Sequence, residues 1–208
     1  MNRRGALIAI EGIDGSGKTT QAEMLVKRLR QHGLEAELLH EPTESEWGHR
    51  IRELARSGRT VSPDEELEYF INDRKWDVTN NIRPLLEQNV VVVMDRYYLS
   101  SIAYQGALGI DTDRIAKMNE FAPRPDLVII LDVDPTTGQE RIERRKKGRP
   151  NYFEDPAYLE KVRMIFRSLE DVLENVMIVD ASGSIDEVHE TIWNLVSSLL
   201  RSLHVEPV

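Results

Sequence analysis

Five short apolar stretches, rich in β-branched residues, do most to limit what this chain can fold into: residues 6–10, 35–40, 90–94, 127–131 and 176–179. Val90-Val91-Val92-Val93-Met94 and Leu127-Val128-Ile129-Ile130-Leu131 run unbroken instead of alternating. That is the pattern of strands buried on both faces of a parallel sheet. Parallel strands need long crossovers, and the intervening sequence supplies helices. Ala22, Leu25, Val26 and Leu29 keep the spacing of one apolar helix face, and Gly33 follows as a stop. Ser62-Pro63-Asp64-Glu65 reads as a capping box opening a long helix toward Arg83, and Asp134-Pro135 starts another. Ser184 to Glu187 caps the last, whose face is Val188, Ile192, Leu195, Val196 and Leu199. The expectation is an α/β fold in three layers, a five-stranded parallel sheet flanked by helices, forming one domain over 1–208.

Between the first strand and its helix lies Gly12-Ile13-Asp14-Gly15-Ser16-Gly17-Lys18-Thr19-Thr20. It fits G-x-x-x-x-G-K-[ST] in the strand-to-helix setting that this motif requires. Glycines let successive N–H groups curl around a phosphate, and the helix N-terminus adds partial positive charge. Lys18 is expected to stand in solvent and to reach the outer phosphates of a nucleoside triphosphate. The Thr19 hydroxyl suits Mg²⁺. A plain glycine-rich turn would explain one or two glycines but not the lysine and threonine in register.

A second cluster follows the third apolar run. Asp95 stands at the carboxyl end of that strand, where open parallel sheets bind ligands. It reads as a magnesium carboxylate or as a strand-end cap. Arg96 suits bidentate recognition of a second phosphate, or a salt bridge to a nearby acid. Ser100 to Gly106 forms a polar and aromatic stretch able to read a base. Phe70 and Arg74 share a helix face; Phe70 reads as core or, with Arg74, as a stacking platform with a polar arm. The third cluster is basic: Arg141, Arg144, Arg145, Lys146, Lys147 and Arg149. It reads partly as a solvated helix face and, around Gly148 and Pro150, as a small lid over about 144–155 expected to bring charge to a phosphoryl group.

The remaining composition narrows the classes. Net charge is −9, from 36 acidic against 27 basic residues, so nucleic acid and anionic membranes are disfavoured as general partners. There are no cysteines, which excludes disulfides, thiolate metal sites and cysteine nucleophiles. No apolar run approaches the ~20 residues that span a bilayer, and Glu11 and Asp14 interrupt any leader-like core, so a cytoplasmic location is expected.

Taken together, "EGIDGSGKTTQ", "EPTES", "FINDRKWD", "DRYYLSSIAYQG", "RPDLVIILDVDP" and "VDASGSIDEVHETI" resemble the thymidylate kinase family, within the P-loop nucleoside monophosphate kinases. The resemblance covers nearly the whole chain and implies the three-layer P-loop NTPase fold and transfer of the γ-phosphoryl of ATP to dTMP with Mg²⁺. By that likeness the loop from Gly12 to Thr20 and Lys18 hold ATP, and Asp14 meets the acceptor sugar. Phe70 stacks on thymine; Arg74, Ser101 and Gln105 approach the base edge; Arg96 clamps the acceptor phosphate; and Tyr104 favours deoxyribose. The resemblance also implies a homodimer, with Leu67, Ile71, Val78 and Ile82 of the 62–83 helix as contributors. Where relatives commonly carry arginine before "EP", this chain has His40, leaving that charge to a protonated histidine or a neighbour such as Arg50. Relatives commonly also carry arginine just before the glutamate matching Glu154, where this chain reads Asn151-Tyr152-Phe153. Gly15 occupies the loop position where some relatives carry a base, so the catalytic cation falls to Arg144, Arg145 or Arg149. The rivals are a kinase of another pyrimidine nucleotide or deoxynucleoside, and a nucleotide-binding regulator.

Overall fold

The computed structural model describes residues 5–145 and 155–205. Its five strands are β1 (Leu7–Glu11), β2 (Ala36–His40), β3 (Val91–Asp95), β4 (Leu127–Asp132) and β5 (Val176–Asp180). All pair in parallel, in the order β2-β3-β1-β4-β5. Alternate strand residues feed two cores. Leu7, Ala9, Val92, Met94, Val128 and Ile130 face one side; Ala6, Ile8, Ile10, Val93, Ile129 and Leu131 face the other. The three layers expected from the unbroken apolar runs are therefore present. The edge strands β2 and β5 expose part of their residues, which is why their sequences alternate more than those of β1, β3 and β4.

The helices are α1 (Lys18–Gln31), α2 (Glu46–Ser57), α3 (Pro63–Asp77), α4 (Arg83–Glu87), α5 (Tyr98–Ala107), α6 (Thr112–Met118), α7 (Pro135–Arg145), α8 (Pro156–Ser168) and α9 (Ile185–Ser202). Helix α1 buries Ala22, Leu25, Val26 and Leu29, as the spacing predicts, and Gly33 follows at φ 77°. The reciprocal capping box is complete at Ser184 and Glu187. At Ser62 only half of it forms: Ser62 accepts from the Glu65 N–H at 3.2 Å, but the Glu65 carboxylate is taken by the Tyr69 hydroxyl. The helix opened there does not stop at Arg83. A wide π-turn over Val78–Ile82 joins α3 to α4. Pro84 lacks the N–H for the regular ladder, and the Thr79 and Asn80 side chains bond the Lys75 and Trp76 carbonyls within this stretch.

One expectation is corrected here. Leu67, Ile71, Val78 and Ile82 are 0–5 % exposed and belong to the core beside β1 and β3. They face the sheet and offer nothing to a second chain. On the outward side of the same helix, Trp76 is 41 % exposed.

Strand β1 has β3 on one side and β4 on the other; the crossover leaving β1 runs to β2 on the β3 side, whereas the one leaving β3 runs to β4 on the opposite side, so the winding reverses between β1 and β3. The crevice at the carboxyl end of such a strand is where doubly wound sheets hold ligands. The glycine-rich loop, Asp95 and Arg96 all lie there.

Candidate active site

The loop leaves β1 at Gly12, whose φ of 137° is open to glycine and closed to most other residues. Gly15 and Gly17 follow at φ 81° and 100°. Gly15 is constrained in space as well: a Cβ there would lie 2.1 Å from the Gly138 carbonyl oxygen, and a Cβ on Gly138 would lie 2.7 Å from the Asp14 carbonyl. Helix α7 thus rests on the loop, glycine against glycine. Gly15→Ala is expected to destabilise the protein by more than about 1 kcal/mol and to impair phosphate binding; an unaltered melting temperature would show that α7 yields freely.

Lys18 departs from expectation. It is 6 % exposed, and its ammonium donates to the Ile13 carbonyl at 2.7 Å, across the loop it closes. Burial lowers its pKa to about 8, with Arg96 adding to the effect and Asp14, Asp95 and Glu11 opposing it. The side chain is short of water because the loop wraps it. Thr19 Oγ1 donates to Asp95 Oδ2 at 2.5 Å, which brings the two candidate magnesium residues together. Among the described residues no group of three His, Cys, Asp or Glu side chains is placed to hold a metal. A hydroxyl and one carboxylate, both hard oxygen donors, fit a magnesium ion that takes its other oxygens from phosphate and water.

Arg96 has φ 71°, a backbone strain that a non-glycine residue keeps only when its surroundings impose it. The Arg96 N–H donates to the Ile10 carbonyl at 3.0 Å. Buried Glu11 accepts from the next turn, from the Tyr97 N–H at 2.9 Å, the Ser100 N–H at 3.2 Å and the Ser100 hydroxyl at 2.6 Å. The guanidinium ion-pairs with Asp14, donates to Ser100 at 3.2 Å, and lies over the Tyr104 ring. Burial works against its charge, but Tyr104, Asp14 and Asp95 outweigh that and hold the group above its usual range.

Two cavities meet at the Asp14–Arg96 pair. One, of about 420 Å³, is lined by Lys18, Thr19, His40 and Asp95 among others. The second, of about 210 Å³, is lined by Pro42, Ile51, Arg52, Phe70, Ser100, Tyr104 and Gln105, with the pair at its mouth. One compartment is polar and abuts the glycine-rich loop; the other is walled by two aromatic rings, aliphatic side chains and a few polar groups. Two nucleotides with facing phosphates suit this arrangement.

The sequence model of the family described as Thymidylate kinase matches residues 10–192. The chain belongs to the thymidylate kinase family. It is 47 % identical over 195 residues to a probable thymidylate kinase of Archaeoglobus fulgidus, covering 93 % of this chain and 96 % of that one. It is 43 % identical over 197 residues to a thymidylate kinase of Xylella fastidiosa (95 % and 89 %), and 46 % identical over 184 residues to one of Xanthomonas oryzae pv. oryzae (88 % and 79 %).

Against this thymidylate kinase background, the base-edge residues sort into two groups. Phe70, Tyr104 and Gln105 line the smaller cavity. Arg74 and Ser101 stand behind its wall: Arg74 is 1 % exposed, forks onto Glu41 through Nε and Nη2, and donates through Nη1 to Ser101 at 3.2 Å and Asn119 at 2.7 Å. Ser100, not Ser101, reaches the cavity surface. Arg50 turns to Glu46 and the Trp47 ring, whereas Arg52 lines the cavity and bonds the Pro42 carbonyl at 3.0 Å. Of the basic segment, Arg141 is tied to the Ala181 carbonyl at 2.9 Å and Arg144 is exposed, 3.5 Å from Glu140. Arg145 ends α7; Arg149 and the rest of 146–154 lie outside the described residues.

Sequence reading missed Glu11, Glu41 and Arg52. Glu11 carried a signal, a carboxylate closing a wholly apolar strand; burial pushes its carboxyl upward, against the bond from Ser100.

Proposed function

We propose that this member of the thymidylate kinase family transfers the γ-phosphoryl group of Mg·ATP to dTMP, giving dTDP and ADP. The observation that carries the reading is the meeting of two cavities, one at the phosphate loop and one at an aromatic wall, on the single pair Asp14–Arg96. In the reaction a phosphate oxygen of dTMP attacks the γ-phosphorus and the bond to the β–γ bridging oxygen breaks. Loop N–H groups from Gly12 to Thr20 and Lys18 hold the ATP phosphates and meet charge as it spreads over the transferred group. Arg96 exchanges Asp14 for the acceptor phosphate, and Asp14 turns to the sugar hydroxyl. Phe70 stacks on the base, Tyr104 crowds the 2′ position, and Gln105 faces the base edge with Arg74 and Ser101 behind it. Thr19 and Asp95 would hold a magnesium ion, which would supply neutralisation of phosphate charge. His40, beside Lys18 and Arg96 in the larger cavity, takes the place of the arginine that relatives commonly carry. The protein works in the cytoplasm as a homodimer, using outward-facing side chains such as Trp76.

A coupled assay over a panel of nucleoside monophosphates with Mg·ATP tests this. The expected order of kcat/KM is dTMP, then dUMP, with purine monophosphates negligible, because one methyl group is worth ~1–3 kcal/mol in a fitted pocket. A preference for a purine or a ribonucleotide would reject the thymidylate assignment. Turnover of ATP without any acceptor dependence would point instead to a nucleotide-binding regulator.

A further inference from the structure

Gln105 on α5 lines the smaller cavity and is 1 % exposed. Its Nε2 donates to Glu66 Oε1 at 2.9 Å, while its own Oε1 is buried with no hydrogen-bond partner. An acceptor stripped of water carries its full desolvation cost until a donor arrives. In a cavity wall, that donor is a ligand.

The two ends of an amide have the same shape, so a neighbour must decide which one points inward. Here the neighbour is Glu66, itself 1 % exposed and in contact with neither cavity. Its second oxygen accepts from Arg59 Nε at 2.9 Å. A carboxylate so paired offers only acceptors, and it therefore takes the NH₂ end of Gln105 and leaves the oxygen end free. Arg59 is fixed in turn: Nη2 donates to the Tyr158 hydroxyl at 2.7 Å, and the guanidinium lies 4.5 Å over that ring. Tyr158 donates to the Tyr104 carbonyl at 2.7 Å, one residue before Gln105. The chain of contacts begins in the α2–α3 connection and closes on α5, around the residue it orients.

We propose that Glu66, clamped by Arg59, is a positioning residue for base selection: it holds Gln105 with its oxygen toward the base, so the cavity takes a pyrimidine whose ring nitrogen carries a hydrogen. Thymine and uracil present that N–H. Cytosine presents a lone pair there, and two acceptors face each other. The inference rests on the reading of the smaller cavity as the acceptor-base site.

The variant Glu66→Gln keeps the shape and reverses the instruction. Its amide oxygen goes to the Arg59 cation and its NH₂ to Gln105, which must turn over and direct its own NH₂ at the base. The kcat/KM for dTMP then falls about 10–100-fold, mainly through KM, with the KM for ATP unchanged. The ratio of dTMP to dCMP activity falls by at least as much. Equal losses for both acceptors would mean that Glu66 supports only the fold, and would overturn the proposal. Gln105→Met, which removes both ends of the amide, narrows the same ratio, and adding Glu66→Gln to it changes the ratio no further. A further fall in the double variant would overturn the proposal as well. If Glu66→Gln fails to accumulate folded, Gln105→Met decides alone: an unchanged ratio rejects the mechanism. Wild-type protein inactive on dTMP in the same panel would reject the acceptor reading itself, an outcome distinct from an active wild type whose variants keep its selectivity.

Discussion

Replacing Lys18 with alanine lowers kcat by on the order of 10²–10³-fold, while the melting temperature at pH 7 stays level or rises. The two halves have separate causes. The ammonium is bonded across the loop to the Ile13 carbonyl; in the proposed reaction it exchanges that carbonyl for phosphate oxygens when triphosphate enters, and alanine has nothing to exchange. Stability runs the other way because Lys18 is buried and its pKa is lowered to about 8, mainly by desolvation. The unfolded chain, with lysine near its ordinary 10.5, binds the proton more tightly than the folded one. Stability contributed by this group therefore rises as pH climbs through 8 toward 10.5 and is least at neutral pH. Alanine removes that slope. Thermal melts of both proteins at pH 7 and pH 9, with steady-state kinetics, check the pair. Near-normal turnover in the variant, or a large drop in its melting temperature at pH 7, would contradict the assignment.

The greatest loss of all is expected from one arginine at the end of α7 or just beyond it. Single alanine substitutions at Arg144, Arg145 and Arg149 should include one that lowers kcat by roughly 10³–10⁵-fold, the range of arginine fingers, with a much smaller rise in KM. The reason begins at Gly15. The loop has no cation there, and the Gly138 carbonyl fills the space a side chain would need. The same contact seats the first turn of α7 on the phosphate loop. Arg141 is already held by the Ala181 carbonyl. Arg149, between Gly148 and Pro150, is the first choice. If all three variants keep kcat within a few-fold of the parent, these bases are solvated charge and the transition state is served by Lys18, Arg96 and magnesium alone.

What was legible in the sequence was whatever depends on near neighbours in the chain. The unbroken runs at 90–94 and 127–131 announced strands buried on both faces, and the spacing of Ala22, Leu25, Val26 and Leu29 announced the face of α1. The phosphate loop could be read because its glycines, lysine and threonine fall within one eight-residue stretch, Gly12 to Thr19. Long-range pairing was invisible. Nothing local says that Glu41 receives the fork of Arg74, 33 residues away, or that Glu66 meets Gln105. Periodicity also misled where it was right: Leu67, Ile71, Val78 and Ile82 do share a face, but a sequence cannot say whether an apolar face meets its own sheet or another subunit. A lysine is usually solvated, and only the three-dimensional wrap of the loop reverses that for Lys18.

The glycine-to-glycine seat between the loop and α7 also bears on which descendants of this sequence are reachable. A relative with a base inside the loop and a relative with its base beyond α7 look one substitution apart on paper. In this backbone they are not. Any residue other than glycine at 15 drives its Cβ to 2.1 Å from a carbonyl, and relief at 138 is blocked because that position is already glycine. Moving a cation into the loop thus requires the first turn of α7 to shift away from Asp14 and Gly15 as well.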